Sequence, residues 1–145
     1  MIKLLLISIL LTFTKSVAPS YVQEFHDLKD RKTEQQFIDK YQNSTDESVQ
    51  AYIIALRMKK AKYTWNPLKK ISIFKRQKKA LNKLIVKNPN NIHLRYIRLL
   101  LQEKTPKILG YNKNIADDKE KILYWVQKKD STDYLDEYII KNTSL

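Results

Sequence analysis

The chain has 145 residues, no cysteine, a single glycine and four prolines, and a formal net charge of +13 from 28 Lys and Arg against 15 Asp and Glu. The missing cysteine excludes disulfides, a lipid-modified thiol anchor, and cysteine-ligated zinc or iron–sulfur centres. All 15 acids lie outside residues 48–102, a stretch that holds 14 cations: Arg57, Lys59, Lys60, Lys62, Lys69, Lys70, Lys75, Arg76, Lys78, Lys79, Lys83, Lys87, Arg95 and Arg98. One block therefore owns the positive field, which selects anionic partners or surfaces without naming one.

Met1-Ile2-Lys3, the apolar run Leu4 to Phe13 and the small-x-small Ser16-Val17-Ala18 have the anatomy of a secretory signal peptide. The expectation is export to the periplasm or beyond, with residues 1–18 removed and 19–145 forming one domain. Pro19 disfavours a cut directly before it, which leaves the position open by a few residues. The run falls well short of the roughly 20 apolar residues that span a bilayer, so no transmembrane helix is expected in the mature protein.

Beyond this point polar/apolar alternation is absent and helix starts are frequent. Ser20-x-x-Gln23, Thr33-x-x-Gln36 and Ser44-x-x-Glu47 fit the capping box. Asn66-Pro67 fits an N-cap followed by proline at the first helical position, and Asn88-Pro89-Asn90-Asn91 ends one helix and caps the next. Helical periodicity follows each start. The apolar stripes run through Tyr21, Val22, Phe25 and Leu28; Phe37, Ile38 and Tyr41; Val49, Tyr52, Ile53 and Leu56; and Leu68, Ile71, Phe74, Leu81, Leu84 and Ile85. The segment from Ile92 to Leu100 is apolar almost all round and is expected at the centre. Ile122, Leu123, Trp125 and Val126, then Leu135, Tyr138 and Ile139, complete the series. The pattern predicts an all-α single domain of six or seven helices packed as antiparallel helical hairpins. The irregular segment Lys104 to Ala116 contains Gly110, for which a positive φ is expected.

The basic helix from Pro67 to Lys87 places Lys69, Lys70, Lys78 and Lys79, with four further cations, around a narrow apolar stripe. Such a helix can clamp phosphates or lie on an anionic membrane surface. The simpler reading is a solvated outer face. Nucleic acid is disfavoured, because an aromatic stacking platform is sparse here and export removes the chain from the genome. Arg95, Arg98 and Gln102 share one polar stripe on an otherwise apolar helix. They form either an anion site at the mouth of a groove or a structural pairing with Glu47, Asp117 or Asp118, and the pairing is favoured. Tyr111 and Asn112 add a hydroxyl and an amide on the Gly110 loop, while Asn114 reads as the cap of the next helix. His26 and His93 lack a second ligand at metal-binding spacing, and no nucleophile elbow, P-loop or paired-carboxylate motif is present. No cofactor, metal or catalytic residue is expected.

Lys62-Tyr63-Thr64-Trp65-Asn66-Pro67, Asn88 to Asn91, Leu94-Arg95-Tyr96 with Arg98 and Gln102, and Pro106 with Leu109-Gly110-Tyr111-Asn112 resemble an uncharacterised family of small exported helical proteins from Bacteroidetes bacteria. The resemblance spans Lys62 to Asp118 and implies an exported α-helical domain with no activity to carry over. The Asn88–Asn91 junction is also similar to a tetratricopeptide junction, but Trp65, Gln77 and Leu84 stand where that repeat needs small residues, and no second copy recurs. The expectation is a non-enzymatic exported module that binds a protein or an anionic envelope component. The alternatives are a helical-hairpin scaffold with solvating lysines, and more remotely an enzyme of unrecognised type.

Overall fold

Polar caps punctuate the chain, and each releases a helix whose apolar face joins a common core. The computed structural model describes residues 16–145, so most of the expected signal segment lies outside the described residues. Among the described residues there are seven α-helices and no strand: α1 (Ser20–His26), α2 (Arg31–Tyr41), α3 (Glu47–Lys59), α4 (Pro67–Lys87), α5 (Ile92–Lys104), α6 (Ile115–Lys128) and α7 (Asp136–Asn142). Short 3₁₀ turns at Lys60–Tyr63, Lys107–Leu109 and Asp133–Leu135 fill the connections.

Two expected caps stand where the sequence places them. Asn66 accepts from Leu68 N and Lys69 N ahead of Pro67, and Asn91 accepts from His93 N and Leu94 N. The three capping boxes differ. Asp30 and Asp46 start α2 and α3, because their carboxylates reach the amides of Thr33 and Ser48 at 2.8 Å. Thr33 becomes the return partner of Asp30 inside the helix instead of its cap. At α1 the cap position is Pro19, and Gln23 donates to Ala18 O instead. A carboxylate placed one or more residues from a hydroxyl competes for the same free amides and, being charged, holds them more strongly.

Successive helices run antiparallel. Lys59 of α3 ion-pairs with Glu34 of α2, and Lys60 Nζ donates to Gln35 Oε1 at 2.6 Å. Arg98 of α5 reaches Asn82 of α4 at 3.4 Å and Asp118 of α6. Helix α5 lies at the centre, as its all-round apolar character predicts, with ten of its 13 residues buried. It packs with α3, Leu81 and Ile85 of α4, Ile122, Leu135 and Ile139 around the fully buried Tyr52 and Tyr96. Gly110 adopts φ +60°, ψ +30° after the 3₁₀ turn, the left-handed conformation expected of it.

Helix α4 departs from its predicted stripe. Leu81 and Ile85 are buried, but Leu68 is 78% exposed and Ile71 45% exposed. The fully buried residues of this helix, Gln77, Leu81 and Ile85, lie in its second half, while the first half packs on the Lys60–Tyr63 turn with Ile73 and Phe74 half-buried. At about 100° per residue Leu68 sits roughly 140° around the helix from Leu81, so it faces away from the buried stripe.

Candidate functional site

Arg95 and Arg98 converge on Asp118, which is fully buried. Asp118 accepts from Arg98 Nε at 2.6 Å and Arg98 Nη2 at 2.7 Å through both carboxylate oxygens, and from Arg95 Nη1 at 3.0 Å. Half-exposed Asp117 adds a second ion pair to Arg95. Glu47, the third acid weighed from the sequence, pairs with Lys87 instead, at 2.8 Å. The fork of the Arg98 guanidinium matches Asp118 in two parallel bonds, and the single bond from Arg95 Nη1 adds to it, so the two arginines tie α5 to α6. Arg95 Nε also donates to Pro89 O at 3.1 Å, which fixes the Asn88–Asn91 turn. With side-chain exposures of 9% and 7%, both arginines are placed as positioning groups inside the fold.

Gln102 and Tyr111 join the same interior row. The Gln102 carbonyl accepts the Asn114 backbone N–H at 3.2 Å, so Asn114 enters α6 through its main chain and not as the side-chain cap expected of it. Tyr111 is buried, meets Phe74 edge-on at 5.6 Å, and carries Lys78 Nζ at 5.1 Å from its ring centroid. Burial pushes its phenol well above the usual range. Asn112 is exposed beside it. The structure thus brings Arg95, Arg98, Gln102, Tyr111 and Lys78 together, while Lys69, Lys70 and Lys79 are exposed on α4.

Four of the 14 block cations, Lys59, Lys87, Arg95 and Arg98, have a carboxylate within 4.0 Å. The other ten have none among the described residues, and the residues outside that range contain no acid. Seven of the ten lie on α4, six of them exposed: Lys69, Lys70, Lys75, Arg76, Lys79 and Lys83. This is an uncompensated cationic face on one rigid element. At its N-terminal end the surface is also apolar. Trp65 is 97% exposed and Leu68 78%, while Ile108, in the 3₁₀ turn that follows α5, is 93% exposed. Sequence reasoning missed these three, having assigned Leu68 to the core.

A second feature escaped it as well. An open cleft of about 640 Å³ lies between the Asn88–Asn91 turn, the start of α3 and the α6–α7 connection, with Tyr21, Asp46, His93, Trp125, Asp130 and Tyr134 on its walls. His93 Nδ1 lies 2.9 Å from the Tyr52 hydroxyl and Nε2 lies 2.9 Å from the Tyr134 hydroxyl. Burial lowers the His93 pKa to about 4, so the imidazole is neutral at pH 7. Tyr52 is fully buried with only this partner, so it donates to Nδ1, Nε2–H donates to Tyr134, and the Tyr134 proton is left facing the cleft. No group of three or more His, Cys, Asp or Glu able to hold a metal occurs among the described residues.

No family model, curated protein or solved structure matches the chain. Function is therefore argued from the surface itself.

Proposed function

We propose that the chain is an exported, non-enzymatic binding module that engages an anionic envelope partner through the outer face of α4. The observation that supports it is the row of exposed α4 cations with no carboxylate in reach, in a molecule that pairs its buried arginines fully. A cation near an anionic surface contributes about 1 kcal/mol, so Lys69, Lys70, Lys75 and Lys79 together supply about 4 kcal/mol, close to a thousandfold in affinity. The test replaces those four with Gln. Lys78 is left in place because it covers Tyr111 and its loss would disturb packing. Binding to soluble polyphosphate and to anionic vesicles is then compared at about 0.1 M and 1 M salt, where the screening length falls from about 10 Å to about 3 Å. Wild-type binding falls steeply with salt and the quadruple variant binds at low salt no better than wild type at high salt. Salt-independent binding, or a variant equal to wild type, overturns the proposal.

The second reading, a helical scaffold whose groove does the binding, draws its support from the aromatic-walled cleft and the oriented Tyr134 hydroxyl. In that case partner binding survives the lysine substitutions and is lost in Trp125→Ala, which strips the cleft wall.

A further inference from the structure

We infer that the anionic partner of α4 is a lipid bilayer, and that Trp65, Leu68 and Ile108 enter its interface while Lys69, Lys70, Lys75 and Lys79 meet the headgroup phosphates. This rests on the electrostatic reading above and adds the partner's identity.

The argument begins with the register of the α4–α5 hairpin. Arg98 lies opposite Asn82, which sets Lys104, the last residue of α5, beside Arg76. Residues Pro67 to Lys75 then run on past the end of α5 for about 13 Å. The buried residues of α4 (Gln77, Leu81 and Ile85) all fall in the half that α5 covers. In the projecting half Ile73 and Phe74 are half-buried, but Leu68 at 78% exposure and Ile71 at 45% stay in water, with Trp65 at 97% just before the helix. The loop that turns back at this end brings Tyr111 onto Phe74 and carries Ile108 at 93% exposure. Apolar side chains scattered singly over a surface need no account, but a tryptophan and a leucine exposed three residues apart inside the acid-free cationic block, with an exposed isoleucine on the loop that packs onto the same half of α4, are a different matter.

The possible occupants differ in what they satisfy. A soluble polyanion neutralises the lysines and leaves Trp65, Leu68 and Ile108 in water. A second copy of this chain buries the apolar end but sets two uncompensated cationic faces against each other, with like charges in close approach. An anionic bilayer satisfies both groups at once. Its phosphates take the ammonium ends, the lysine stems lie along the apolar boundary, and the indole of Trp65 sits at the headgroup level, where one edge is apolar and the other wet. No helix among the described residues is long and apolar enough to cross a membrane, so the contact proposed is a helix lying on the surface.

The experiment uses the whole chain, so that residues outside the described range contribute equally to every variant. Trp125→Phe leaves Trp65 as the sole tryptophan of the two in the chain. Phosphatidylcholine vesicles with and without phosphatidylglycerol, and soluble polyphosphate, are the probes. With anionic vesicles the Trp65 emission moves to shorter wavelength and becomes protected from an aqueous quencher; with polyphosphate it does neither. The Leu68→Ser, Ile108→Ser double variant, at positions too exposed to affect folding, binds anionic vesicles about tenfold or more weakly and polyphosphate as well as wild type does. Vesicle binding without movement of the Trp65 emission, and unchanged in the double variant, overturns bilayer insertion and leaves the electrostatic reading standing. Binding to neither vesicles nor polyphosphate removes both.

Discussion

Replacing Asp118 with Asn keeps its volume and removes its charge, which makes it the sharpest probe of the arginine cluster. The carboxylate is fully buried and takes three guanidinium N–H bonds between 2.6 and 3.0 Å. In the variant two guanidiniums with less than a tenth of their surface in water face one remaining acid, the half-exposed Asp117. Removing one partner of a buried ion pair costs about 3–5 kcal/mol, a large part of the roughly 5–15 kcal/mol that holds a domain folded. For a chain of this size that lowers the melting temperature by on the order of 10 °C. Asp117→Asn, at a position where solvent screens the charge, costs about 1 kcal/mol or less. Urea denaturation followed by far-UV circular dichroism measures both. A cost for Asp118→Asn within about 1 kcal/mol of zero, or one smaller than that of Asp117→Asn, refutes the view that Asp118 is the joint of α5 and α6.

Two further predictions concern titration and backbone. His93 and His26 have pKa values lowered to about 4, chiefly by burial, so between pH 6.5 and 4 the unfolded chain takes up protons that the folded chain refuses. The stability these groups contribute is complete above pH 6.5 and falls with pH by about 1.4 kcal/mol per unit for buried His93, and by less for half-buried His26. Denaturation curves across that range show the slope, and His93→Gln removes the larger share of it. At Gly110 a Cβ would meet nothing within 4 Å, so Gly110→Ala costs only the left-handed backbone, about 1 kcal/mol, and Gly110→Asn costs less. A loss above about 2 kcal/mol in a thermal melt shows that packing is involved there after all.

The helices, the central place of α5, the caps at Asn66 and Asn91 and the conformation of Gly110 were legible because each is decided within a few residues. The partner of Arg95 and Arg98 was legible for a different reason. An interior cation demands an acid, and few acids are placed to supply one. Three things were hidden. Asp30 and Asp46 outcompete the nearby hydroxyls as caps, a contest that spacing alone does not decide. Leu68 sits roughly 140° around the helix from Leu81, off the buried stripe that its apolar spacing suggests, because small phase errors accumulate along a helix as long as α4. The cleft and its Tyr52–His93–Tyr134 chain draw on residues 41 positions apart on either side of His93, and no local pattern announces them.

The unpaired cations on α4 also act on the fold that carries them. Gathered without acids, they repel one another in the native state more than in the expanded chain, so the compact form bears an electrostatic strain that dissolved ions relieve. Moderate salt is therefore expected to raise the melting temperature of this protein over the same range in which it would weaken the proposed contact with an anionic surface, so that stability and that binding respond to ionic strength with opposite sign.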